Sequence, residues 1–163
     1  MVMRQLRFEL GEVYSTMMDL KYAGVEAAGA AGKPPKPQVV AKINSLTKSA
    51  VDHFQDFIQS FHQKSSENGG ESRLPDTLEE INVRPVLCAF FHVGRLYTKF
   101  VDPDPKRRVI NMEVARGFYR KLVDYVDAHP EAEDAVKGEY EISKELEPMM
   151  EIKIKSIKAS IVK

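Results

Sequence analysis

Residues 83–101 read VRPVLCAFFHVGRLYTKFV, and the rest of the chain can be interpreted around this stretch. Its apolar residues recur every three or four positions, which is the spacing of one face of an α-helix. That face contains Val83, Val86, Leu87, Phe90, Val93, Tyr97 and Val101, widened by Phe91, Leu96 and Phe100. The polar stripe that remains is narrow and contains Arg84, Cys88, His92, Arg95 and Lys99. A helix with so little polar surface has neighbours on two sides, so we predict that it lies inside a layered helical array.

A glycine motif in this helix is typical of helical repeats. The segment Phe90-x-x-Val93-Gly94-x-x-Tyr97 matches the start of a tetratricopeptide repeat, W-x2-L-G-x2-Y. Glycine costs a helix about 1 kcal/mol relative to alanine, but it lets a second helix approach closely. Upstream, Leu10-Gly11-x-x-Tyr14 repeats the motif more weakly. We therefore predict close helix contacts at Gly94 and Gly11.

Each glycine motif is followed, one predicted helix later, by a small residue and an aromatic residue four positions on. These pairs are Ala50-x3-Phe54 and Ala115-x3-Tyr119, and they match the second helix of a tetratricopeptide unit. The sequence predicts an all-α fold, a tetratricopeptide-like α-solenoid fragment. Its antiparallel helical hairpins are expected at about 1–64 and 78–129, with terminal helices at 130–163. An irregular helical bundle is the alternative, since the loops are longer than a roughly 34-residue repeat permits.

Caps and helix breakers predict the element boundaries. The predicted helices cover 1–28, 38–64, 83–101 and 105–129, and a last helix opens at Pro130. Pro148 should kink or break that last helix. Asn82 and Asp104 are expected as N-caps, with a short separate turn at 78–81. The segment 64–77 has almost nothing to bury, so we expect it to be mobile.

Composition limits the classes of function that the chain can have. Its 24 Lys and Arg residues balance 24 Asp and Glu residues, which gives no overall attraction to nucleic acid or anionic membranes. No stretch approaches the roughly 20 apolar residues of a membrane span. Charges within the first ten residues argue against a signal peptide, and a single cysteine excludes an internal disulfide. We expect one soluble domain in the cytoplasm.

No pattern typical of catalysis, metal binding or cofactor binding appears in the sequence. The histidines lack partners at metal-ligand spacing and are His53, His62, His92 and His129. His92 is interpreted as a packed or rim histidine, and Cys88 as a small residue at a buried edge rather than a nucleophile. Lys106, Arg107 and Arg108 either contact an acidic partner or remain solvated, and the second interpretation is favoured. We predict no enzyme, no metal and no cofactor.

Five runs of residues resemble a known family when they are taken in chain order. They are RQLRFELGEVY, KINSLTKSAVDHF, VRPVLCAFFHVGRLYTKF, LVDYVDAHPEA and EISKELEPMMEIK. These runs resemble the C-terminal part of the kinesin family binding protein (KIF-binding protein) family. The resemblance implies a helical solenoid that binds the motor domains of a subset of kinesins and stops them from engaging microtubules. It also implies a cytoplasmic, cytoskeleton-associated protein that influences cargo and mitochondrial transport and axon growth in neuronal development.

A solenoid binds partners through the concave surface formed by the first helix of each hairpin. Tetratricopeptide repeats, which the chain resembles, present there the residues one, four and five positions after the motif glycine. The matching residues are Glu12, Ser15, Thr16, Arg95, Thr98 and Lys99. We expect this surface to contact a kinesin motor domain, with Glu12 as the best electrostatic match to a face that meets acidic tubulin. The alternative is a tetratricopeptide-type adaptor for short peptides of another partner, with Arg95 and Lys99 clamping a carboxylate.

The first predicted helix carries an apolar stripe without a preceding helix to cover it. The stripe contains Met3, Leu6, Leu10, Val13, Met17 and Leu20. We therefore expect the isolated chain to expose a hydrophobic patch on that side. The expected partner of this patch is the set of upstream helical repeats of the full-length family protein.

Overall fold

Five α-helices build the part of the chain that the structure describes, residues 2–64 and 72–162. The computed structural model places α1 at Val2–Ala30, α2 at Pro37–Gln59, α3 at Glu80–Tyr97, α4 at Pro105–Ala128 and α5 at Lys137–Val162. A 3-10 helix, Pro130–Val136, leads into α5. Two short antiparallel strands, β1 at Gln63–Lys64 and β2 at Ser72–Arg73, lie between α2 and α3. The predicted all-α fold class is confirmed.

Helices that follow each other in the chain pack side by side in antiparallel pairs. The guanidinium of Arg4, near the start of α1, donates to the carbonyl oxygen of Ser60, just after α2, at 2.6 Å. The backbone N–H of Leu78, just before α3, donates to the hydroxyl of Tyr125, near the end of α4, at 3.0 Å. α4 and α5 form a third pair of the same kind.

The central helix α3 has neighbours on both sides, as its apolar circumference predicts. It packs against α2 and α4, and its side chains also contact α1. The Asn44 carboxamide of α2 binds both backbone groups of Val101, donating to the carbonyl oxygen and accepting from the N–H, each at 2.8 Å. A continuous core joins α1 to α4 and includes Met18, Ile43, Phe54, Leu87, Val93 and Leu122. A smaller cluster, Ala115, Tyr119 and Met150, fastens α5 to α4.

The predicted boundaries around the second loop are wrong in two places. α2 ends at Gln59 rather than near Lys64, because the chain turns after Ser60 into the β1–β2 pair. α3 begins at Glu80, so the predicted separate turn at 78–81 and the Asn82 cap do not form. The N–H of Asn82 instead donates to the carbonyl of Glu79 within the first turn. Tertiary contacts fix this start, since the Leu78 side chain is buried. Residues 65–71 of the loop that we expect to be mobile lie outside the described residues.

Two predictions about prolines in the last segment also need correction. Pro130 opens a 3-10 helix, and the α-helix starts only at Lys137. α5 runs through Pro148 without the break that is one of the two predicted effects of this proline, and the other, a kink, stays a prediction. Glu147 accepts from Arg116 of α4 at 2.8 Å, and Met150 is buried. These contacts on both sides of Pro148 hold the helix together despite the missing backbone hydrogen bond. The predicted N-cap at the start of α4 is confirmed. The Asp104 carboxylate accepts from the N–H of Lys106 at 3.0 Å.

Candidate functional site

The motif glycines lie where two helices of a hairpin touch. A Cβ atom at Gly11 would meet the ring of Phe54 at 2.9 Å, and one at Gly94 would meet the ring of Tyr119 at 2.9 Å. Each contact joins a glycine motif to the aromatic residue that the repeat pattern assigns to the next helix. A side chain on either glycine would push the helices apart. The predicted close contacts at Gly11 and Gly94 are therefore present.

Two of the six predicted site residues meet between α1 and α3. Arg95 of α3 donates to both carboxylate oxygens of Asp19 on α1, at 2.8 and 3.2 Å, and to the hydroxyl of Ser15. Ser15 is only 4% exposed. It is thus a buried acceptor rather than the surface residue that the repeat register predicts. The arrangement is a charge-assisted fork that fixes α3 against α1.

The other four predicted residues lie closer to solvent. Glu12 and Thr16 are exposed on α1, and Thr98 is exposed just after α3. The Thr98 hydroxyl donates to the carbonyl oxygen of Arg95, so this hydrogen bond lies within the C-terminal turn of α3. The Lys99 ammonium sits 4.4 Å from the centroid of the Tyr22 ring on α1, a cation–π contact. We refer to these six residues and the α1 partners Asp19 and Tyr22 as the α1–α3 surface.

The polar stripe of α3 faces protein rather than solvent at its middle. The His92 ring stacks on Phe54 at a centroid distance of 4.9 Å. Burial, together with the nearby Arg95 cation, lowers the pKa of His92 to about 4, so the ring is neutral at pH 7. Within the described part of the chain its Nδ1 is buried without a hydrogen-bond partner. The interpretation of His92 as a packed histidine is confirmed.

Cys88, one turn before His92, is likewise a buried-edge residue. Its Sγ lies 3.8 Å from Oε1 of Glu139 on α5. Burial and then the Glu139 carboxylate raise the pKa of the Cys88 thiol to about 11. A thiol in this state is protonated at neutral pH and is a poor nucleophile. This geometry agrees with its interpretation as a small packing residue.

Sequence reasoning did not identify Asp19 and Tyr22, which hold Arg95 and Lys99. A signal was available for Asp19, because it follows Ser15 by four positions and therefore lies on the same helix face. Nothing local indicates that this face of α1 meets the end of α3. That relation depends on how the hairpins stack.

A cleft of about 480 Å³ opens where the end of α3 meets α4 and α5. Its apolar lining includes Phe100, Met112, Leu146, Met150 and Ile157. Beside these lie Arg95 and three further cations, Lys99, Arg108 and Lys153. Arg108 extends from α4, and Lys153 from α5. We call this feature the basic cleft.

The outer face of α1 carries the apolar stripe that the sequence shows. Met3, Leu6, Val13, Met17 and Leu20 are all exposed, Leu20 to 73%. The opposite face supplies Phe8, Met18 and Tyr22 to the core. The expectation of an exposed hydrophobic patch on this side of α1 is therefore confirmed. None of the helices within residues 2–64 and 72–162 is long and apolar enough to cross a bilayer.

Comparison with known proteins places the chain in a family. The family model described as KIF-1 binding protein C terminal matches residues 1–157. The KIF-binding protein of Mus musculus is 34% identical over 161 residues, covering 99% of this chain and 24% of the mouse protein. The KIF-binding protein of Gallus gallus is 34% identical, with 99% of this chain and 25% of the chicken protein covered. That of Drosophila melanogaster is 24% identical, with 99% and 26% covered.

The chain thus spans about a quarter of the length of the curated relatives that it matches. No solved structure matches it. The resemblance carried by the five sequence runs is confirmed by a family match that extends over nearly all residues. This chain belongs to the KIF-1 binding protein C-terminal family.

Proposed function

We propose that this chain is a non-catalytic kinesin-binding regulator, which binds kinesin motor domains and limits their attachment to microtubules. The observation that carries the proposal is the match of 99% of the chain to proteins named KIF-binding protein. The chain spans about a quarter of the length of those proteins. The proposed setting is the cytoplasm, on the cytoskeleton. The downstream effects are on cargo and mitochondrial transport and on axon growth, without nucleic acid or membrane insertion.

The α1–α3 surface is the proposed motor-binding site within this chain. Arg95 fixes α3 against α1 through Asp19 and Ser15, so the two helices present one rigid surface. A pre-organised surface loses less freedom on binding than a mobile one. In this arrangement Arg95 and Ser15 position the helices. The residues proposed to contact the motor domain are Glu12, Thr16, Thr98 and Lys99.

Electrostatics favour Glu12 as the leading contact. The face of a motor domain that meets acidic tubulin is expected to be basic, and Glu12 is exposed on α1. Complementary charge at a rim mainly raises the association rate. The alternative, an adaptor that clamps a peptide carboxylate with Arg95 and Lys99, is weaker. Arg95 already binds Asp19, and Lys99 rests on Tyr22.

The remaining partner that we propose is the helical part of the longer family protein. Together with half-buried Leu10, the exposed stripe on α1 repeats with alternating steps of three and four residues, which is the spacing of a seam between two helices. We propose that upstream helical repeats cover this stripe and continue the stacking of hairpins at about 1–64 and 78–129, with terminal helices at 130–163. In that arrangement the α1–α3 surface belongs to a longer concave surface.

The test compares the association of immobilised kinesin motor domains with this chain and with its Glu12→Lys variant. We expect slower association of the variant, with the difference shrinking as salt rises, and an unchanged melting temperature. Glu141→Lys is the matched control, since Glu141 is also an exposed glutamate but belongs to α5, outside the α1–α3 surface.

A parallel pull-down offers kinesin motor domains and short carboxyl-terminal peptides to the same chain. Retention of motor domains supports the proposal. Retention of peptides alone would favour the adaptor alternative, and retention of neither would contradict a binding role for this part of the family protein. Equal effects of Glu12→Lys and Glu141→Lys would contradict the placement of the binding site on the α1–α3 surface.

A further inference from the structure

We propose that the basic cleft binds a short acidic segment of a partner protein, one that carries a bulky apolar side chain between carboxylates. The cleft lies at the junction of α3, α4 and α5. Apart from Arg95, Thr98 and Lys99, the residues that line it do not belong to the six predicted motor-binding residues. Its residues come from three separate helical segments, so only the folded chain assembles it.

The apolar lining explains why the ligand needs a bulky side chain. Met112, Leu146 and Ile157 are only partly buried, while Met150 is 5% exposed and closes the base. Methionine side chains adapt their shape to the group they contact. The volume of about 480 Å³ is within the range of pockets that enclose small ligands and large side chains. One or two aliphatic or aromatic side chains would fill it.

The charges around the cleft explain why the ligand should be acidic. Arg95 is already paired with Asp19. Within residues 2–64 and 72–162, the other three cations of the cleft, Lys99, Arg108 and Lys153, form no ion pair. The described residues that line the cleft include no Asp or Glu. This concentration of one sign is local, because the whole chain is neutral.

Asn111 favours a peptide over other anionic amphiphiles such as fatty acids. Its carboxamide lines the same cleft and can both donate to and accept from a peptide backbone. The carboxylate of a fatty acid would accept from the carboxamide N–H or pair with one cation, but it has no donor for the carboxamide oxygen. Carboxylates at two positions of a peptide can pair with Arg108 and Lys153 at the same time. A peptide is therefore the ligand class that matches the apolar lining, the two cations and the Asn111 carboxamide.

The test measures fluorescence anisotropy of a labelled, amidated peptide, Asp-Glu-Leu-Phe-Glu-Asp, titrated with the whole chain. We expect saturable binding that weakens as salt rises. The Arg108→Glu, Lys153→Glu double variant should weaken binding about tenfold or more. The matched control is Arg107→Glu with Lys155→Glu, which changes the net charge equally at neighbouring positions outside the cleft lining.

Two further peptides test separately whether the ligand needs bulky apolar side chains and whether it needs acidic ones. Replacing Leu-Phe by Ser-Ser, or the acidic residues by their amides, should each abolish saturable binding. Equal binding of the Ser-Ser peptide, equal loss in the two double variants, or no saturable binding of the first peptide would overturn the proposal. A competition experiment with dodecanoate adds one more such outcome. The proposal would also be overturned if dodecanoate displaced the peptide without shifting the NMR resonance of the Asn111 side-chain amide.

An NMR titration of the unaltered chain can locate the binding site without any variant. In a methyl and amide NMR titration of the unaltered chain with the first peptide, shifts should concentrate on Met112, Leu146, Ile157 and Asn111. Shifts concentrated on α1 instead would overturn the proposal. Because no kinesin enters either experiment, failure here leaves the motor-binding proposal intact, and failure of motor binding leaves this result intact.

Discussion

Gly94 of α3 packs directly against the ring of Tyr119 on α4, so closely that a Cβ atom at residue 94 would lie 2.9 Å from Cε1 of that ring. Tyr119 is 1% exposed and is held between Ala115 and Met150. Displacing the ring would therefore disturb the cluster that packs α5 against α4. The same relation holds between Gly11 of α1 and Phe54 of α2. Both hairpins depend on a glycine at the point of closest approach.

Gly94→Leu should lower the free energy of unfolding by roughly 1–3 kcal/mol, even though leucine is the better helix former. The added side chain overpacks the contact with Tyr119, and Gly11→Leu should do the same at Phe54. Urea denaturation followed by circular dichroism measures the change. Gly117→Ala is the control, because nothing lies within 4 Å of its position on α4. It should stabilise the chain by up to about 1 kcal/mol. A Gly94→Leu variant that is more stable than the parent would show that the α3–α4 contact is misplaced.

The Arg95–Asp19 pair should be worth more than a typical surface ion pair. Two hydrogen bonds join the groups, and the Arg95 side chain is 27% exposed. A double-mutant cycle with Arg95→Gln and Asp19→Asn should give a coupling energy of about 1 kcal/mol. High salt should reduce it only in part. The exposed Lys48–Asp52 pair on α2 provides the comparison and should give a smaller coupling. Equal couplings for both pairs would mean that Arg95 does not fix α3 to α1.

His92 should make the chain less stable in mild acid. Its pKa in the folded chain is about 4, below the ordinary value of 6.5, so the unfolded state binds the proton more tightly. The stability that neutral His92 contributes is complete above pH 6.5 and is lost as the pH falls from 6.5 towards 4. The total loss is on the order of 3 kcal/mol, from about 1.4 kcal/mol per pKa unit.

His92→Phe isolates this effect, because the phenyl ring keeps the stacking on Phe54 without a titrating group. The charged groups that influence the ring are Arg95, Glu139 and Asp19, and all three remain in the variant. Unfolding free energies of both proteins between pH 7 and pH 4.5 should diverge, with the parent losing more. Parallel pH profiles would contradict a depressed His92 pKa.

The exposed stripe on α1 should cause self-association of this chain. Val13 and Leu20 are well exposed, whereas Met18 on the same helix is fully buried. Val13→Glu with Leu20→Glu should shift sedimentation profiles towards the monomer without lowering the melting temperature. A Met18→Ala variant should instead lose roughly 2–5 kcal/mol of stability. A parent chain that is monomeric at all concentrations would refute the expected association.

Much of the fold is determined by local features of the sequence. Helix periodicity and the Asp104–Pro105 start of α4 both follow from spacing and sterics within short segments. The start of α3 at Glu80, by contrast, does not follow from local sequence features. There Leu78 is buried, and its N–H binds Tyr125 from a later helix, which overrides the cap that Asn82 would provide.

The candidate sites depend on the tertiary structure to a much greater extent. The sequence indicates which positions follow each motif glycine, but it does not indicate that Ser15 would be buried under Arg95. Arg95 and Asp19 lie 76 positions apart in the chain, and no local pattern encodes their pairing. Likewise, Arg108 and Lys153 belong to different helices and line one cleft only after α4 and α5 have packed. Helices form from interactions between near neighbours in sequence, whereas ion pairs and clefts form between groups that only the packing of those helices brings together.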